Sequence, residues 1–286
     1  MVGSVNLDLA ATVSRLPVPG ETVSGASLDR FPGGKGANQA LAARRLGADV
    51  TLIARVGRDA EADAALALLR ADGVNLSLCL RDERLPTGVA LIAIAPGGEN
   101  QIVVAPGANR TLRPEMLELP EADALMCQLE VPGDTLCLAC ERFKGFFCVN
   151  LAPAMDVPEK ILERADLVVV NETEEAFYGE LLGACEGMIA VTRGSSEATL
   201  SRRQDVIARS QPPGVIPVDT TGAGDTFAAA LTIALLEGAS PQQALDFACT
   251  AGALATTKPG AQPSLPYRKE VDALLARRSP PRGRVS

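Results

Sequence analysis

Short apolar runs alternate with segments of helix-forming residues through the second half of the chain. The apolar runs predict strands, and the segments between them predict helices. We assign strands to 124–129, 146–149, 166–170 and 187–192, a strand end to 214–218, and helices to about 134–143, the segment opened by Asn171, 228–237 and 241–257. Because strands joined through helices pair in parallel, this alternation predicts an α/β fold with a mostly parallel sheet covered by helices.

The N-terminal part of the chain continues this pattern less regularly. Residues 2–5 are apolar and lead into Asn6 and Asp8, so we expect a first strand that is short and truncated at its start. Further helices are predicted at 39–46, closed by Gly47, and at 60–71, with a strand at 50–56 between them.

Residues 10–31 have a different pattern, in which proline and glycine turns separate short runs, and this indicates edge strands instead of a helix. Two β-rich runs, 87–95 and 101–105, flank a hairpin signal at 96–100. These strands are too few for an independent domain. We therefore predict one domain over 1–286, with a small β lid inserted from about 10–32 and 87–106.

The stretch 218–227 carries the strongest candidate chemistry. Gly222 and Gly224 permit a close backbone approach to a ligand, and the helix that follows carries a partial positive charge at its start. The turn therefore predicts an anion site. Asp225 fits two roles here: a helix cap worth about 1 kcal/mol, or a base for a hydroxyl that attacks a bound phosphate.

A second glycine-rich helix start lies at 33–38. It is not a P-loop, because Lys35 is followed by Gly36 where a P-loop has Ser or Thr. Adjacent Gly33 and Gly34 still allow the backbone to come close to a ligand.

Several predicted strands end in polar groups, and ligands of open α/β sheets bind at the carboxyl ends of the strands. These groups are Asn6 with Asp8, Glu130, Asn171 with Glu174, and Thr192 with Gly194. Their number predicts a single crevice that also contains Asp225.

Composition excludes several classes of function. The chain of 286 residues is 47% apolar and 22% charged, with a net charge of −8, which argues against nucleic acid or an anionic membrane as partner. Without histidine, Ser-His and Cys-His nucleophiles and most transition-metal sites are excluded. The seven scattered cysteines indicate the reducing cytoplasm, and the pair Cys137 and Cys140 has no partners for a zinc site.

The motifs resemble, in order and spacing, those of the ribokinase (phosphofructokinase-B) family of carbohydrate kinases. The matching segments are Asn6 with Asp8, Gly33-Gly-Lys-Gly-Ala-Asn38, Asn171-Glu-Thr-Glu174 and Asp219-Thr-Thr-Gly-Ala-Gly-Asp225. Gln128-Leu-Glu130 and Gly260-Ala-Gln-Pro-Ser264 are most similar to the members that phosphorylate ribose. The resemblance implies a three-layer α/β/α fold with a β lid. It also implies ATP-dependent phosphorylation of the 5-hydroxyl of D-ribose.

The resemblance further implies a role for each matched residue. Asp225 would be the catalytic base, and the backbone N–H groups of Gly222, Ala223 and Gly224 would form the anion hole. The sugar hydroxyls would be held by Asn6, Asp8, Gly34, Lys35, Asn38 and Glu130, together with Asp225. The nucleotide would contact Asn171, Thr192, Gly194 and Gly224.

Two cations are implied in the same way. Glu174 would act on Mg²⁺ through water, next to the ATP phosphates. A monovalent activator, K⁺, would be held partly by backbone carbonyls at Asp219, Thr221, Ala255, Lys258, Gly260 and Ser264.

Two departures from the family pattern lie on the nucleotide side. The connection at 181–187 is short where the family has a helix, and Glu197 replaces an expected glycine. They leave open a non-catalytic sugar-binding protein with a decayed nucleotide site. Kinases for another furanose, a keto-sugar acid or a nucleoside are alternatives within the class, although 3% aromatic residues and no Trp favour a plain sugar. The resemblance also implies a homodimer formed through the lid.

Overall fold

The computed structural model describes residues 1–96 and 99–278. Within these ranges the strands are β1 (Asn6–Thr12), β2 (Ser27–Gly33), β3 (Ala54–Gly57), β4 (Cys79–Asp82), β5 (Gly88–Ile94), β6 (Asn100–Ala105), β7 (Ala124–Gln128), β8 (Phe146–Asn150), β9 (Leu167–Asn171), β10 (Met188–Arg193), β11 (Ser196–Arg202) and β12 (Asp205–Ser210). The α-helices are α1 (Lys35–Arg45), α2 (Ala60–Ala65), α3 (Ala67–Ala71), α4 (Gly133–Arg142), α5 (Glu159–Arg164), α6 (Glu172–Tyr178), α7 (Ala223–Leu236), α8 (Pro241–Ala255), α9 (Ala261–Ser264) and α10 (Arg268–Arg278), and short 3₁₀ helices lie at Gly107–Thr111, Pro114–Met116 and Gly179–Ala184. The middle of the predicted turn at 96–100 and most of the basic tail at 277–286 lie outside the described residues.

A mixed sheet in the order β12-β11-β10-β9-β8-β7 forms the centre of the molecule. β7, β8, β9 and β10 run parallel, as predicted, and β10, β11 and β12 are joined as antiparallel hairpins. Val2 extends this sheet, because it bridges in parallel to Cys127 on one side and to Ile53 on the other. β3 and β4 continue the parallel pairing beyond Ile53.

Helices cover both faces of the central sheet. β9 shows why, because Val168 and Val170 belong to one buried cluster and Val169 to the other. A strand buried on both faces is a continuous apolar run, which is the pattern that predicted it. The cluster around Val169 includes side chains from α1, α7 and α8, and the cluster around Val168 includes α4 and α5. The three-layer α/β/α fold is confirmed.

A separate four-stranded sheet, in the order β2-β1-β5-β6, forms the lid sheet. β1 pairs antiparallel with β2 and parallel with β5, and β5 pairs antiparallel with β6. The predicted hairpin and edge strands therefore belong to one sheet.

The chain passes from the central sheet into the lid sheet within five residues, which corrects the predicted first strand at 2–5. Only Val2 bridges within the core, and Asn6 begins a lid strand instead of ending a core strand. The side chain of Asn109 replaces strand pairing here: its Oδ1 accepts from Val5 N at 2.9 Å, and its Nδ2 donates to Val5 O at 3.1 Å.

Other predicted boundaries also differ from the structure. Residues 214–218 form no strand; Ile216 is 87% exposed, and Val218 N donates to Thr256 O. The helix predicted at 60–71 is interrupted at Leu66. The elements missing from the prediction are β4, β11, β12, α5, α9 and α10. None of the helices in the described ranges has both the length and the apolar content needed to cross a bilayer.

Candidate active site

The N-terminal turns of α1 and α7 meet at the carboxylate of Asp225. Asn38 Nδ2 donates to Asp225 Oδ2, and Gln39 Nε2 donates to Asp225 Oδ1, both at 2.9 Å. The capping role considered for Asp225 is wrong, because the N-cap of α7 is Gly222, which has a φ of 80°. Asp225 lies in the first turn of a helix that begins earlier than predicted, and its side chain is directed at α1 instead of at its own backbone.

Asp225 is placed to accept a proton. Burial raises the pKa of its carboxyl group, while the positive charge of Lys35 and the two amide hydrogen bonds oppose that rise. A carboxylate whose pKa lies above the ordinary Asp value is a stronger base at neutral pH.

The start of α7 offers backbone N–H groups beside this carboxylate. Ala223 N donates to Thr220 O at 3.3 Å, whereas the N–H groups of Gly222 and Gly224 have no acceptor among the residues that the structure describes. A Cβ atom built on Gly224 would have no protein atom within 4 Å. The backbone at Gly224 therefore borders open space, as an anion site at a helix start requires.

Polar groups from the lid sheet and from the loop after β7 face the same site. Glu130 Oε2 accepts from Lys35 N at 3.1 Å and also from the Ser4 hydroxyl. Asp8 is 7% exposed, and a Cβ atom on Gly33 would lie 2.2 Å from Asp8 Oδ2. Glycine at position 33 therefore makes room for this carboxylate.

Lys35 is the cation of a strongly acidic site. Burial acts to lower the pKa of Lys35, but the surrounding carboxylates outweigh it, so the pKa is raised and the ammonium remains charged. The carboxylates that produce this effect are those of Asp225, Glu130, Glu174 and Asp8. Burial, followed by the charges of Glu130 and Asp225, raises the pKa of Asp8 to about 7.

Asn6 and Gly34 complete the side of the site that faces the lid. Asn109 Nδ2 donates to Asn6 Oδ1 at 2.8 Å, and this bond leaves the NH₂ group of Asn6 available as a donor. Gly34 has a φ of 87°, and a Cβ atom there would lie 2.7 Å from Asn6 N. Only glycine permits this crossing of α1 and β1.

Asn171 and Glu174 form a reciprocal capping box at the start of α6, with both bonds at 2.8 Å. Glu174 is 7% exposed, and burial raises the pKa of its carboxyl group. Thr192 pairs directly with Asn171 across β9 and β10. Gly194 lies in the exposed turn that follows β10.

Oxygen donors suited to hard cations are present in two places. Glu174 uses Oε2 for the bond to Asn171, so its other oxygen is available, and carboxylate oxygen is a ligand that Mg²⁺ prefers. Asp219 joins two loops, since Oδ2 accepts from Gly260 N at 2.8 Å and Oδ1 accepts from Thr221 N at 2.9 Å.

The loop donors around Asp219 suit a monovalent ion better than a divalent one. Within the described ranges no group of three Cys, Asp or Glu residues could hold a metal ion. The ammonium of Lys258 is itself positive and lies 3.9 Å from Glu270, so the group of Lys258 that suits a cation is its backbone carbonyl oxygen. Ser264 Oγ donates to Ala261 O at 2.8 Å and keeps its lone pairs. Ala255 is buried and has only backbone oxygen to offer.

Four residues with direct contacts in the site were not predicted to belong to it: Ser4, Gln39, Asn109 and Gln128. Gln39 follows Asn38 directly on α1, and Gln128 ends β7 two residues before Glu130. The sequence therefore offered a signal for both: Gln39 adjoins a predicted site residue, and Gln128 begins the matched motif Gln128-Leu-Glu130.

The family model, the related sequences and the solved structures all point to one family. Residues 1–268 match the model of the pfkB family carbohydrate kinases. A ribokinase of Bacillus subtilis is 37% identical over 291 residues, covering 96% of this chain and 98% of that protein. The crystal structure of a Thermotoga maritima ribokinase has a TM-score of 0.88 at 33% identity, with 96% and 98% of the two chains covered. The Arabidopsis thaliana ribokinase complexed with ribose and ATP has a TM-score of 0.85 at 30% identity, with 96% and 97% covered.

Proposed function

Because this chain belongs to the pfkB family of carbohydrate kinases, we propose that it transfers the γ-phosphoryl group of ATP to the 5-hydroxyl of D-ribose. The observation that carries the proposal is the buried carboxylate of Asp225 beside the free N–H groups at the start of α7. The choice of sugar is supported by relatives named as ribokinases, one of them solved with ribose and ATP.

In the proposed reaction, Asp225 takes the proton of the 5-hydroxyl as the sugar oxygen bonds to the γ-phosphorus. The bond from that phosphorus to the β–γ bridging oxygen breaks, and ADP leaves. The N–H groups of Gly222 and Gly224, with that of Ala223, stabilise the charge on the transferred group. Glu174 would hold Mg²⁺ through water, and the ion would neutralise charge on the phosphates. Asn171, Thr192 and Gly194 border the nucleotide.

The sugar lies between the lid sheet and α1 in this proposal. A furanose presents several hydroxyls, each able to donate and accept, and the site offers both kinds of partner. Asp8 and Glu130 accept, and the Lys35 ammonium and the Asn6 amide donate. Asn38 Oδ1 is buried without a donor among the described residues, so a sugar hydroxyl could satisfy it. Gly34 brings the backbone close.

One assay tests this function. ADP release is measured with MgATP and a panel of D-ribose, other furanoses, a keto-sugar acid and nucleosides, each with K⁺ and with Na⁺. We expect D-ribose to give the highest kcat/KM.

We also propose K⁺ at the loops of Asp219, Thr221, Ala255, Lys258, Gly260 and Ser264, so K⁺ should raise turnover above Na⁺. D-ribose binding without ADP release at saturating MgATP would instead support the binding protein with a decayed nucleotide site.

We predict that D-ribose affinity rises about tenfold between pH 6 and pH 8, because Asp8, with a pKa of about 7, accepts strong, charge-assisted hydrogen bonds from the sugar hydroxyls when it is ionised. Calorimetric titration across this range measures it. The stability of the protein without sugar should change in the opposite direction, decreasing as pH rises. Since the folded pKa lies above the ordinary 3.8, the stabilisation from protonated Asp8 is lost as pH rises towards 7. Asp8→Asn should remove the pH dependence of binding, and an affinity that is constant across this range in the unmodified protein would contradict the prediction.

We also propose that the chain is one kinase domain and that two copies pair through their lid sheets. β6 is an edge strand, and Ile102, Val103 and Val104 are 55%, 64% and 48% exposed. By register, Val103 shares a face with Leu91 and Leu28, which are 50% and 58% exposed. Apolar edge strands of this kind are normally covered.

Val103→Lys is expected to convert the dimer to a monomer, measured as molar mass by light scattering. Val206→Lys is the matched control, since Val206 is 45% exposed on β12, the edge strand of the central sheet. It should leave the mass of the dimer unchanged. A monomeric mass for the unmodified chain at micromolar concentration would refute the pairing.

The cytoplasm is the proposed location. All seven cysteines are free thiols in the structure, as expected in a reducing compartment.

A further inference from the structure

A chain of buried amides runs from β7 to the carboxylate of Asp225. Gln128 Nε2 donates to Gln39 Oε1 at 2.6 Å, and Gln39 Nε2 donates to Asp225 Oδ1 at 2.9 Å. Both glutamines are fully buried. Three elements, β7, α1 and α7, are thus connected through side chains alone.

The acceptor at the end of this chain fixes the direction of both bonds. An ionised carboxylate can only accept, so Gln39 must present its NH₂ group to Asp225 and its carbonyl oxygen to Gln128. Gln128 Oε1 then has no donor within the part of the chain that the structure describes. That oxygen faces Gly3, where a Cβ atom would lie only 2.1 Å away. The unpaired atom, Gln128 Oε1, is therefore at the end of the hydrogen-bonded series that is remote from Asp225, whereas each oxygen of the Asp225 carboxylate has a donor.

We propose that Gln39, held in place by Gln128, is a positioning residue that fixes the plane of the Asp225 carboxylate and keeps it a free acceptor. Asn38 holds one oxygen and Gln39 the other, so rotation about the Cβ–Cγ bond would break both bonds. Each oxygen keeps a second lone pair that a sugar hydroxyl can reach. This inference rests on the proposed function, because it requires Asp225 to be the base.

Electrostatics in the site agree with this geometry. Burial raises the pKa of Asp225, and the hydrogen bond from Gln39 is one of the contributions that oppose the rise. The charged groups that face Asp225 are Lys35 on α1, Asp8 on β1, Glu130 after β7 and Glu174 on α6. Lys35 is the cation in that group, so the amide of Gln39 adds a second source of stabilisation for the ionised carboxylate.

The test is the pH dependence of kcat with D-ribose and MgATP. Gln39→Met keeps the length of the side chain but removes its donor. We expect the acid limb to move up by about one pH unit and kcat on that limb to fall by up to about tenfold, with KM for D-ribose within about twofold. Gln128→Met should give a smaller shift in the same direction. Because Gln128 acts through Gln39, the double variant should shift no further than Gln39→Met alone.

Thr232→Val is the matched control. Thr232 is a buried polar residue on α7 whose hydroxyl donates to Ala228 O at 2.9 Å, away from Asp225. It should leave the acid limb in place. If Gln39→Met does not fold, Gln39→Glu is measured instead, and a larger upward shift is expected because two carboxylates then face each other.

A second readout separates this inference from the proposed function. The carboxyl ¹³C resonance of Asp225, assigned by its loss in Asp225→Asn, reports the same titration without turnover. An unmoved titration in Gln39→Met, or additive shifts in the double variant, would overturn the positioning role even in an active kinase. A moved titration in a chain that does not phosphorylate D-ribose would support the geometry and reject the proposed reaction.

Discussion

Replacing Asp225 by asparagine is expected to lower kcat for D-ribose by about 10²–10⁴-fold, the usual contribution of a positioned general base. The amide cannot take a proton, yet it has nearly the volume of the carboxylate. Its single oxygen can still accept from Asn38 or Gln39, so the start of α7 should keep its place. D-ribose affinity is expected to change by less than about tenfold, since the other sugar contacts are unaltered. Initial-rate kinetics and calorimetry measure the two effects separately.

The fold should survive this substitution. Burial disfavours the charged form of Asp225, which is why its pKa is raised, and a neutral side chain avoids that cost. A cooperative thermal transition at or above the original midpoint is the expected result.

Asp246→Asn provides the matched control for Asp225→Asn. Asp246 on α8 also accepts two side-chain hydrogen bonds, from Ser210 Oγ at 2.6 Å and Gln242 Nε2 at 3.2 Å, but it lies outside the site. Its kcat should equal that of the unmodified chain. An Asp225→Asn variant that retains more than about a tenth of the original kcat would show that another group accepts the proton.

Gly224→Ala is expected to lower kcat by about 10²–10³-fold without loss of stability. The added methyl group would keep the phosphoryl group away from the N–H donors of this turn, and loss of one such contact has an effect of this size. A methyl group there meets no protein atom within 4 Å, so the group it can obstruct is a ligand against the N-terminal turn of α7. Alanine also favours the helix over glycine by up to about 1 kcal/mol. Kinetics with MgATP and a thermal melt test both parts.

Gly222→Ala should behave differently although it lies only two residues away. Gly222 has a φ of 80°, and a Cβ atom there would lie 3.3 Å from Ala261. This variant should lose stability by about 1–2 kcal/mol, the cost of a left-handed backbone for an ordinary residue.

Gly133→Ala is the control for helix propensity, because Gly133 is the first residue of α4 and also has open space around its Cα. It should keep full activity. Normal kinetics in Gly224→Ala would mean that no phosphoryl group approaches this turn.

The sequence was informative where a structural requirement is local. Continuous apolar runs such as Leu167–Asn171 predict strands buried on both faces, and the structure contains them with boundaries shifted by one residue. Gly34 and Gly222, which both have positive φ, lie directly before α1 and α7, but these helices begin four and five residues earlier than predicted. β11 and β12 were not predicted, because only one of their faces is buried and the exposed residues dilute the pattern.

Features that depend on contacts distant in sequence could not be predicted. Gln39 and Gln128 are 89 residues apart, and although Gln128 begins a matched motif, nothing in the sequence around either residue shows that the two meet at Asp225. The path of residues 2–6 likewise depends on the side chain of Asn109, more than 100 residues later. Without that contact, an apolar run followed by polar residues has the appearance of an ordinary strand end.

If the sugar binds as proposed, the short passage from Val2 to Asn6 would make its affinity depend on how the lid sheet is placed relative to α1. Asn6 and Asp8 lie on the lid sheet, whereas Lys35 and Asn38 lie on a helix of the core. A sugar bound to both groups is a cross-link, so it binds only the fraction of molecules in which the two groups are at bonding distance. If that fraction is f, the observed Kd is the intrinsic Kd divided by f. A substitution at the lid edge that never touches the sugar can therefore weaken binding, and a dimer that holds two lid sheets in place would tighten it.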